Sequence, residues 1–475
     1  MKAASALAAG LSAAERIAGF AAGFDPASLT GPQRQLCGRS LADTWAVAFA
    51  GRDEPAPTAA LRYLREASLL RLADAGQGGS AALWGRDERA APEIAAWWNG
   101  VAGHVLDYDD VTVPMRGHPS VVLWPALLAL GEARDLPGER VVAAFVVGME
   151  VICKLSRAMA LEHYARGWHS TASIGVVGST AACAYLLQLD ARQTTHALGL
   201  AVAQAAGTRE NVGTEAKSFQ AGHANGAAVR AASLAAAGFM AGEHALDGPH
   251  GYLQLYADGV PADAALDGLG QAPLEIERSG LDVKQYPMCY ATHRALDAVL
   301  DLRAAHGLRL EDVVHAAVLT SRGALEPLVH PRPATGLEGK FSLAYALGAA
   351  LADGAVRLTS FTDAAVRRPE IQQFFDRVSW REAEGAAVPR WTELTLRLRS
   401  GQVLHQRVEG LRGSAQKPVS DTELATKLDD CLHWGVRTRS AQAAPAFDGQ
   451  ALLQRCLALP GLSTRAWLAS LAFSV

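Results

Sequence analysis

The fold and the chemistry of this chain centre on three consecutive segments: HVLDYDD at residues 104–110, PMRGHPS at 114–120 and VVLWPAL at 121–127. An apolar, helix-like run ends in the first segment, and another begins at the third. Between them, two Pro and a Gly interrupt helical structure and hold carboxylates, an Arg and a His in a short loop. Loops held by rigid elements commonly carry catalytic groups. A solvated helix end or a cation site would give a similar acid cluster, so this stretch alone leaves a structural role open.

The composition indicates a globular protein with a large core. The chain has 475 residues, half of them hydrophobic, which favours roughly two to three domains. The formal net charge is -4 and no basic stripe is present, so nucleic acid is not an expected partner. Six cysteines lie far apart without a C-x-x-C pair. This spacing predicts reduced thiols in a cytosolic protein.

No segment has the features of a targeting or membrane-spanning sequence. Residues 1–24 are predicted to form an amphipathic helix, because Lys2, Glu15 and Arg16 interrupt the apolar centre that a signal peptide needs. The apolar stretches 141–151 and 174–189 are too short, or too broken by polar and small residues, to span a bilayer. We therefore expect a cytoplasmic protein that has no membrane partner.

Residues 1 to about 265 carry apolar residues at helical spacing. One helix is predicted from Pro32 to Gly51. Small residues such as Gly175 and Gly178 would let helix axes approach closely, which predicts a compact bundle. Further helices are predicted at residues 58–73, 92–106, 121–133, 139–159, 170–189, 191–206 and 222–240.

The sequence pattern changes near residue 262, after which a Gly- and Asp-bearing linker covers residues 263–272. The expected fold is mainly α with a smaller α+β domain. We place an all-helical domain at residues 1–268 and 410–475, formed by both chain ends, and the α+β domain at 269–409. Strands are predicted at 274–276, 314–320, 393–398 and 403–408, the last two as a hairpin, and helices at 291–306, 340–378, 421–434 and 449–458.

Several common catalytic motifs are absent from the sequence. It contains no G-x-G-x-x-G after a strand, no Walker-type loop, no H-E-x-x-H and no G-x-S-x-G. These absences count against nicotinamide dehydrogenases, P-loop enzymes, zinc peptidases and serine hydrolases.

Two further stretches place ionisable side chains beside Gly. In RGWHST, residues 166–171, His169 would lie at a helix N-terminus, whose positive end lowers a His pKa and suits it to act as a neutral base. A His packed against a backbone carbonyl is the alternative. In GTEAKSFQAGH, residues 213–223, Lys217 could bind a carboxylate or be simply solvated.

Two stretches of the middle section have the same character. KQYPMCYATH, residues 284–293, contains Lys284, Cys289 and His293. A Cys–His pair suggests a nucleophile, but no Asn or Asp that could orient the His is nearby, which favours a thiol packed under a general acid. In HPRP, residues 330–333, Arg332 could grip a carboxylate with two hydrogen bonds or belong to a surface turn.

These stretches together resemble the MmgE/PrpD family, which includes 2-methylcitrate dehydratase, cis-aconitate decarboxylase and iminodisuccinate epimerase. Each motif is modest alone, but the similarity spans nearly the whole chain and the motifs occur in the right order. The matching pieces are residues 99–103, 104–110, 116–120, 167–171, 213–217, 284–293, 340–342 and 348–354.

The resemblance implies a large all-helical domain, a smaller α+β lid and a homodimer. It also implies an active site in the cleft between the domains, with no metal or organic cofactor. By motif position, the family's pocket residues correspond to Asp107, His118, His169, Lys217 and Lys284.

The sequence departs from the decarboxylase members at two positions. Val111 stands where some family members have a Thr, and Cys289 stands where the decarboxylase has a His. Residues 115–120 and 287–293 look closer to the iminodisuccinate epimerase branch.

The resemblance leads to a mechanistic hypothesis for a small di- or tricarboxylate substrate. Lys217 and Lys284 would bind its carboxylates with Arg116 or Arg332 as helpers, because cations stabilise the charge left when a proton departs beside a carboxylate. His118 and His169 would form the acid–base pair. Asp107 would orient a His or assist the proton transfer. Cys289 and His293 would shape the lid side of the site or donate a proton there.

The first expectation for the reaction is a cofactor-independent hydro-lyase of the 2-methylcitrate dehydratase type. An epimerase or a decarboxylase of the same substrate class is the alternative. A binding protein that kept the fold and lost the chemistry is a further alternative.

Overall fold

A computed structural model describes residues 10–71, 80–437 and 447–471. It confirms a mainly α-helical protein with a smaller α+β part. Of the predicted N-terminal helix, residues 1–9 lie outside the described residues. The rest begins at Ala13, because Ser12 and Glu15 form a capping box in which each side chain accepts from the other residue's backbone N–H.

Helices dominate the first part of the chain. None of the helices within the described ranges combines the length and the hydropathy needed to cross a membrane. These helices are α1 (Ala13–Gly23), α2 (Gly31–Gly51), α3 (Pro55–Glu66), α4 (Pro92–His104), α5 (Pro119–Arg134), α6 (Gly138–Ala165), α7 (Ser170–Ser173), α8 (Gly175–Leu186), α9 (Ala191–Val202), α10 (Ala216–Ala236), α11 (Tyr252–Tyr256), α12 (Ala262–Ala265) and α13 (Glu275–Arg278).

Two details of this part differ from the sequence-based prediction. The helix predicted at 58–73 ends at Glu66, and the chain continues into a small sheet of β1 (Leu70–Arg71), β2 (Ala81–Ala82) and β3 (Arg89–Ala90). The strand predicted at 274–276 is wrong, since α13 begins there. The buried carboxylate of Glu150 accepts the backbone N–H of Glu275 at 2.8 Å and anchors the start of that helix.

The middle of the chain builds a four-stranded sheet in the order β5-β4-β6-β7. β4 pairs in parallel with β5, whereas the β4–β6 and β6–β7 pairs are antiparallel. The hairpin predicted at 393–398 and 403–408 is present as β6–β7. The elements are α14 (His293–His306), β4 (Val313–Thr320), α15 (Gly336–Gly339), α16 (Leu343–Asp353), α17 (Asp363–Val366), α18 (Pro369–Phe374), β5 (Val378–Glu382), β6 (Thr392–Leu398) and β7 (Val403–Val408).

The chain returns to helix after the sheet, with α19 (Asp421–Val436), α20 (Gly449–Leu457) and α21 (Thr464–Ser470). The buried hydrophobic residues form two cores. One core combines most helices of the first part with α19–α21, and the other combines α14 and α16 with the four-stranded sheet. The domain boundaries at 268/269 and 409/410 stay a prediction. Short 3₁₀ turns lie at Pro26–Ser28, Arg209–Asn211, Tyr290–Thr292, Leu310–Asp312, Leu358–Phe361, Phe375–Arg377 and Leu459–Gly461.

Helices α4, α5 and α10 meet at a site held by one buried side chain. Pro125 lies inside α5 and has no N–H to donate to the carbonyl of Val121. The amide of Asn225 on α10 replaces that donor at 2.8 Å, and its oxygen accepts the N–H of Ala126 at 3.1 Å. Asn225 thus compensates for the donor that Pro125 lacks, and its two hydrogen bonds hold α10 against α5.

Two glycines bring α4 and α10 into backbone contact. A Cβ at Gly100 would lie 2.9 Å from the Cα of Gly222, and a Cβ at Gly222 would lie 2.5 Å from the carbonyl oxygen of Trp97. Because α4 ends at His104 and α10 begins beside Lys217, this crossing sets the distance between the two ends that face the candidate site.

Replacing Gly222 with Ala should lower the free energy of unfolding by about 1–3 kcal/mol, because the added methyl group meets a rigid backbone oxygen. Equilibrium unfolding in urea would measure the change. Gly19→Ala in α1 is the matched control, since a Cβ there meets nothing within 4 Å and should add about 0.5–1 kcal/mol. Equal effects of the two substitutions would contradict the close crossing.

Candidate active site

The centre of the candidate site is the carboxylate of Asp107, three residues after the end of α4. Asp107 has a left-handed backbone (φ 52°) and is buried. Lys217 Nζ donates to its Oδ1, while Lys284 Nζ donates to its Oδ2 at 3.0 Å and to its carbonyl oxygen at 2.9 Å. Although burial opposes ionisation, the two ammonium groups hold the pKa of Asp107 well below its usual range.

The two lysines reach Asp107 from different parts of the chain. Lys217 lies in the first turn of α10, which begins six residues before the predicted start at Gly222. The hydroxyl of Thr214 accepts the N–H of Ala216 at 3.2 Å and so satisfies a free donor at the beginning of this helix. Lys284 comes from the segment that leads into α14, and its side chain is fully buried.

A second buried carboxylate connects two histidines. Asp109 Oδ2 lies 2.8 Å from His104 Nδ1, in a hydrogen bond. The same oxygen lies 3.0 Å from His118 Nδ1, off the line of a well-aligned hydrogen bond. His118 Nε2 in turn lies 3.9 Å from Asp107 Oδ1. The sequence hypothesis did not assign site roles to His104 and Asp109, although both belong to the opening stretch, next to Asp107.

His169 approaches the same group from the N-terminus of α7. Its Nδ1 lies 2.6 Å from the amide oxygen of Gln220. The amide nitrogen of Gln220 donates to the carbonyl of Thr208 at 3.1 Å, which fixes the direction of the amide. His169 therefore carries its proton on Nδ1 and leaves the lone pair of Nε2 available.

The three imidazoles form one buried cluster. The ring centroid of His104 lies 4.6 Å from that of His118 and 5.8 Å from that of His169. Burial lowers the pKa of His104 to about 4, lowers that of His118, and lowers that of His169 well below its usual range. All three rings are consequently neutral at pH 7 and able to accept a proton.

A cavity of about 350 Å³ opens beside these groups and is walled by both parts of the chain. His104, Asp107 and Lys217 line it from the helical part, and Lys340 and Phe341 line it from the middle part. His118, His169 and Lys284 are not lining residues; His118 and Lys284 each contact Asp107, and the ring of His169 lies beside that of His104. The cavity volume suits a small molecule of a few carbons.

Cys289 and His293 lie next to this group without bonding to it in the described chain. Cys289 precedes a 3₁₀ turn and His293 begins α14, so the two do not share one helix. Burial raises the pKa of the Cys289 thiol to about 11, so it is protonated at pH 7. His293 packs against the rings of Tyr286 and Tyr290, and its Nε2 lies 3.2 Å from the carbonyl of Met288. Their lid-side role stays a prediction.

The two predicted arginine helpers lie in different surroundings. Arg116 is half-buried, with its guanidinium carbon 6.0 Å from the ring centroid of Tyr164. Arg332 is exposed and forms an ion pair with Asp376 at 2.6 Å. No hydrogen bond among the described residues connects Arg332 to Asp107 or to the lysines, so we leave it out of the site proposed below.

The side chains around the histidine cluster include a group that could coordinate a metal ion. His104, Asp109 and His118 each offer a ligand atom, and these atoms lie within 4.8 Å of one another. The same atoms already interact among themselves, since Asp109 contacts both rings. The expectation that the protein needs no metal or cofactor stays a prediction.

Below the cluster, a second layer of buried polar groups supports the acid-rich turn. Ser120 Oγ donates to Asp110 Oδ2 at 2.5 Å and lies 2.7 Å from Ser40 Oγ. Burial, together with the nearby carboxylate of Asp43, raises the pKa of Asp110 to about 8. Asp110 is therefore mostly protonated at pH 7, unlike Asp107 and Asp109.

The fold and this site define a member of the MmgE/PrpD family. Residues 15–265 match the MmgE/PrpD N-terminal domain, and residues 286–448 match the MmgE/PrpD C-terminal domain. These matches cover most of the chain, which belongs to this family.

Curated relatives of this chain include cis-aconitate decarboxylases. The Homo sapiens enzyme is 28% identical over 363 residues and the Mus musculus enzyme 29% identical over 363 residues, in both cases across 74% of each chain. The Aspergillus terreus enzyme is 24% identical over 330 residues, which is 64% of this chain and 67% of the relative. The family and these relatives support an enzyme of a lyase-type family whose members act on small carboxylic acids.

The raised pKa of Asp110 predicts a pH-dependent effect of Asp110→Asn. The pKa of Asp110 is about 8 in the folded protein and about 4 in the unfolded chain. Its protonated carboxyl therefore stabilises the fold fully below about pH 4, and this contribution is lost as the pH rises through about 8. Asn cannot ionise. The stability of the variant relative to the parent should therefore rise from pH 6 to pH 8, by at most about 1.4 kcal/mol per pH unit.

Urea unfolding of both proteins at pH 6, 7 and 8 measures this trend. The same substitution at the exposed Asp87 is the control, and its effect should stay constant over the range. A difference between Asp110→Asn and the parent that is constant or shrinks with pH would contradict a buried, protonated Asp110.

Proposed function

We propose that this protein is a cofactor-independent lyase that acts on a small di- or tricarboxylate by moving a proton at a carbon next to a carboxylate. One observation carries the proposal: two lysines converge on a single carboxylate at the wall of a cavity, beside three buried, neutral histidines. Such a place can hold a substrate carboxylate and offer a base to the neighbouring carbon.

The charge distribution suits the transition state of this step. Removing a proton beside a carboxylate places negative charge on that carboxylate, and preorganised cations stabilise it in a site that excludes water. Lys217 lines the cavity and would bind the substrate carboxylate directly. Lys284, which is buried behind Asp107, would keep that residue ionised when Lys217 turns to the substrate.

The histidines would carry the proton. His169 holds its Nε2 lone pair free because Gln220 fixes its Nδ1 as a donor. His118 has Nδ1 beside Asp109 and Nε2 towards Asp107, so the ionised Asp109 would stabilise the imidazolium that forms when this ring accepts a proton. We assign His169 and His118 as the acid–base pair and Asp109 as the group that orients His118.

The leaving group that we favour is water. The relatives are named cis-aconitate decarboxylases, which makes loss of carbon dioxide a competing lyase reaction. Two positions count against decarboxylation: Val111 is a buried apolar residue where some members have a Thr, and Cys289 is a neutral thiol where the decarboxylase has a His. Neither residue can supply the charge or the hydrogen bonds of its counterpart.

Epimerisation is the second candidate, and the arrangement of the rings favours it. His118 and His169 stand as two separate bases around His104, so one could remove a proton and the other return it on the opposite face of the carbon. A homodimer, implied by the family resemblance, and a cytoplasmic location, expected from the sequence, complete the proposal.

Replacing His169 with Ala should reduce kcat by roughly a hundredfold or more while the protein stays folded, because a general base contributes about that factor. Steady-state kinetics with the best substrate would measure it, with circular dichroism to check the fold. His223→Ala on α10 is the control: this His is bonded to the carbonyl of Gln204, and its loss should leave kcat within about threefold. Unchanged turnover in His169→Ala would remove this residue from the mechanism.

The reaction type can be read from one incubation in D₂O with citrate, 2-methylcitrate, cis-aconitate or iminodisuccinate. A hydro-lyase should produce an unsaturated acid from a hydroxy acid, seen as new absorbance near the ultraviolet edge. A decarboxylase releases carbon dioxide from cis-aconitate, and an epimerase places deuterium in recovered or inverted substrate. Thermal stabilisation by a polycarboxylate without any of these products would indicate a binding protein instead.

Dialysis against a chelator should leave kcat and the melting temperature unchanged, because every group in the proposed steps is a side chain of this chain. Adding Zn²⁺ or Fe²⁺ after dialysis should then give no gain in activity. A loss of turnover that either metal restores would instead assign His104, Asp109 and His118 as metal ligands.

A further inference from the structure

Lys340 differs from the other lysines buried in the described chain. Its side chain is buried, follows α15 and forms part of the cavity wall. The other four buried lysines each form an ion pair with a carboxylate, namely Lys154, Lys217, Lys284 and Lys427. Across the described ranges, no carboxylate lies within ion-pair distance of the Lys340 ammonium group.

The ammonium group of Lys340 is held by two backbone carbonyls. Nζ donates to the carbonyl of Leu106 at 2.8 Å and to that of Pro287 at 2.6 Å, and it lies 4.4 Å from the ring centroid of Phe361. A protonated amine has three N–H donors. Two are used, and for the third the described residues offer no acceptor.

The charged groups near Lys340 do not supply its missing counter-ion. The carboxylate of Asp107 is already shared by Lys217 and Lys284. Glu54 lines the same cavity, but its Oε1 accepts from Trp434 at 3.0 Å and from Arg437 at 2.6 Å. Asp363, also in the lining, accepts from the backbone of Gly336 and pairs with Arg367.

An unpaired cation in a buried position is unfavourable unless a partner arrives. Burial lowers the pKa of Lys340 to about 7, and the charges of Lys284 and Lys217 contribute to this lowering. At pH 7 the group therefore ionises easily in response to an anion. An arriving carboxylate would stabilise the ammonium form and take the remaining N–H.

We propose that Lys340 binds a carboxylate of the substrate, as a cation separate from the Lys217–Lys284 pair. The inference rests on the proposed function for its substrate class and deepens it. The substrate then has at least two carboxylates, one at Lys217 on the helical wall and one at Lys340 on the wall from the middle of the chain. Lys340 would thus select polycarboxylates over monocarboxylates and bind them between the two cores.

A purely structural role is the competing explanation, because Lys340 also connects Leu106, just before Asp107, to Pro287, just after Lys284. Lys340→Gln separates the two roles. The amide of Gln keeps two N–H donors for the carbonyls and removes the charge. Lys417→Gln is the matched control, since Lys417 is exposed and its Nζ likewise lies 3.3 Å from a carbonyl, that of Gly410.

Isothermal titration of the full-length protein with propane-1,2,3-tricarboxylate tests the proposal at pH 7. This probe has neither a hydroxyl group to eliminate nor a double bond, so binding is measured without turnover. Lys340→Gln should raise Kd about ten- to a hundredfold, the range for a hydrogen bond between charged groups, with little change in melting temperature. Lys417→Gln should leave Kd within about twofold.

A Kd in Lys340→Gln within twofold of the parent would overturn the inference while leaving the proposed function standing. If the parent turns over none of the carboxylic acids and binds no polycarboxylate, both fail together. Should Lys340→Gln not fold, a crystal structure of the parent with the same tricarboxylate decides: a carboxylate oxygen within about 3.2 Å of Lys340 Nζ supports the inference, and its absence there overturns it.

Discussion

The sharing of one carboxylate by two ammonium groups is the interaction on which the site depends. Asp107 comes from the turn after α4, Lys217 from the start of α10 and Lys284 from the segment that opens the second core. Each of these charges is buried and would be unstable alone. Their mutual contact connects the helical part to the middle part at the point where the cavity lies. Folding and site assembly are therefore the same event for these three residues.

Around this ion group, the protein arranges carboxylates with different protonation states within four residues of sequence. The two lysines that face Asp107 hold its pKa well below its usual range, so Asp107 is ionised. Contacts with His104 and His118 lower the pKa of Asp109 in the same way. Asp110 instead accepts a hydrogen bond from Ser120 and lies near Asp43, and it keeps its proton. The DYDD segment thus carries two ionised carboxylates, those of Asp107 and Asp109, and one protonated carboxyl group, that of Asp110.

Much of this arrangement could be predicted from the sequence. Helical periodicity located most helices of the first part, and the alternating pattern at 393–398 and 403–408 located the β6–β7 hairpin. Motif order gave the family, which the domain matches confirm. The sequence could not give the partners of the buried groups. Nothing in the local pattern says that Asp109 faces His104, or that Gln220 fixes the tautomer of His169, because these contacts depend on how separate helices pack.

The errors have physical causes as well. The strand predicted at 274–276 is short and apolar, and Glu150, more than a hundred residues away in sequence, decides in favour of a helix by accepting a backbone donor. The predicted start of α10 at Gly222 is too late, since the helix begins at Ala216. In the fold that glycine serves the close crossing with α4 instead. Lys340 was part of a matching motif, yet its lack of a counter-ion is visible only in three dimensions.

The backbone contact between Gly100 and Gly222 has a consequence for how this enzyme family could diversify. The spacing of His104 and Lys217 is set by main-chain atoms, which side-chain substitutions can hardly adjust. The opposite wall of the cavity is built from residues 335–341 and 358–363, in short helices and turns. Changes of substrate size should therefore accumulate on that wall during evolution or in laboratory redesign, while the helical wall keeps its geometry.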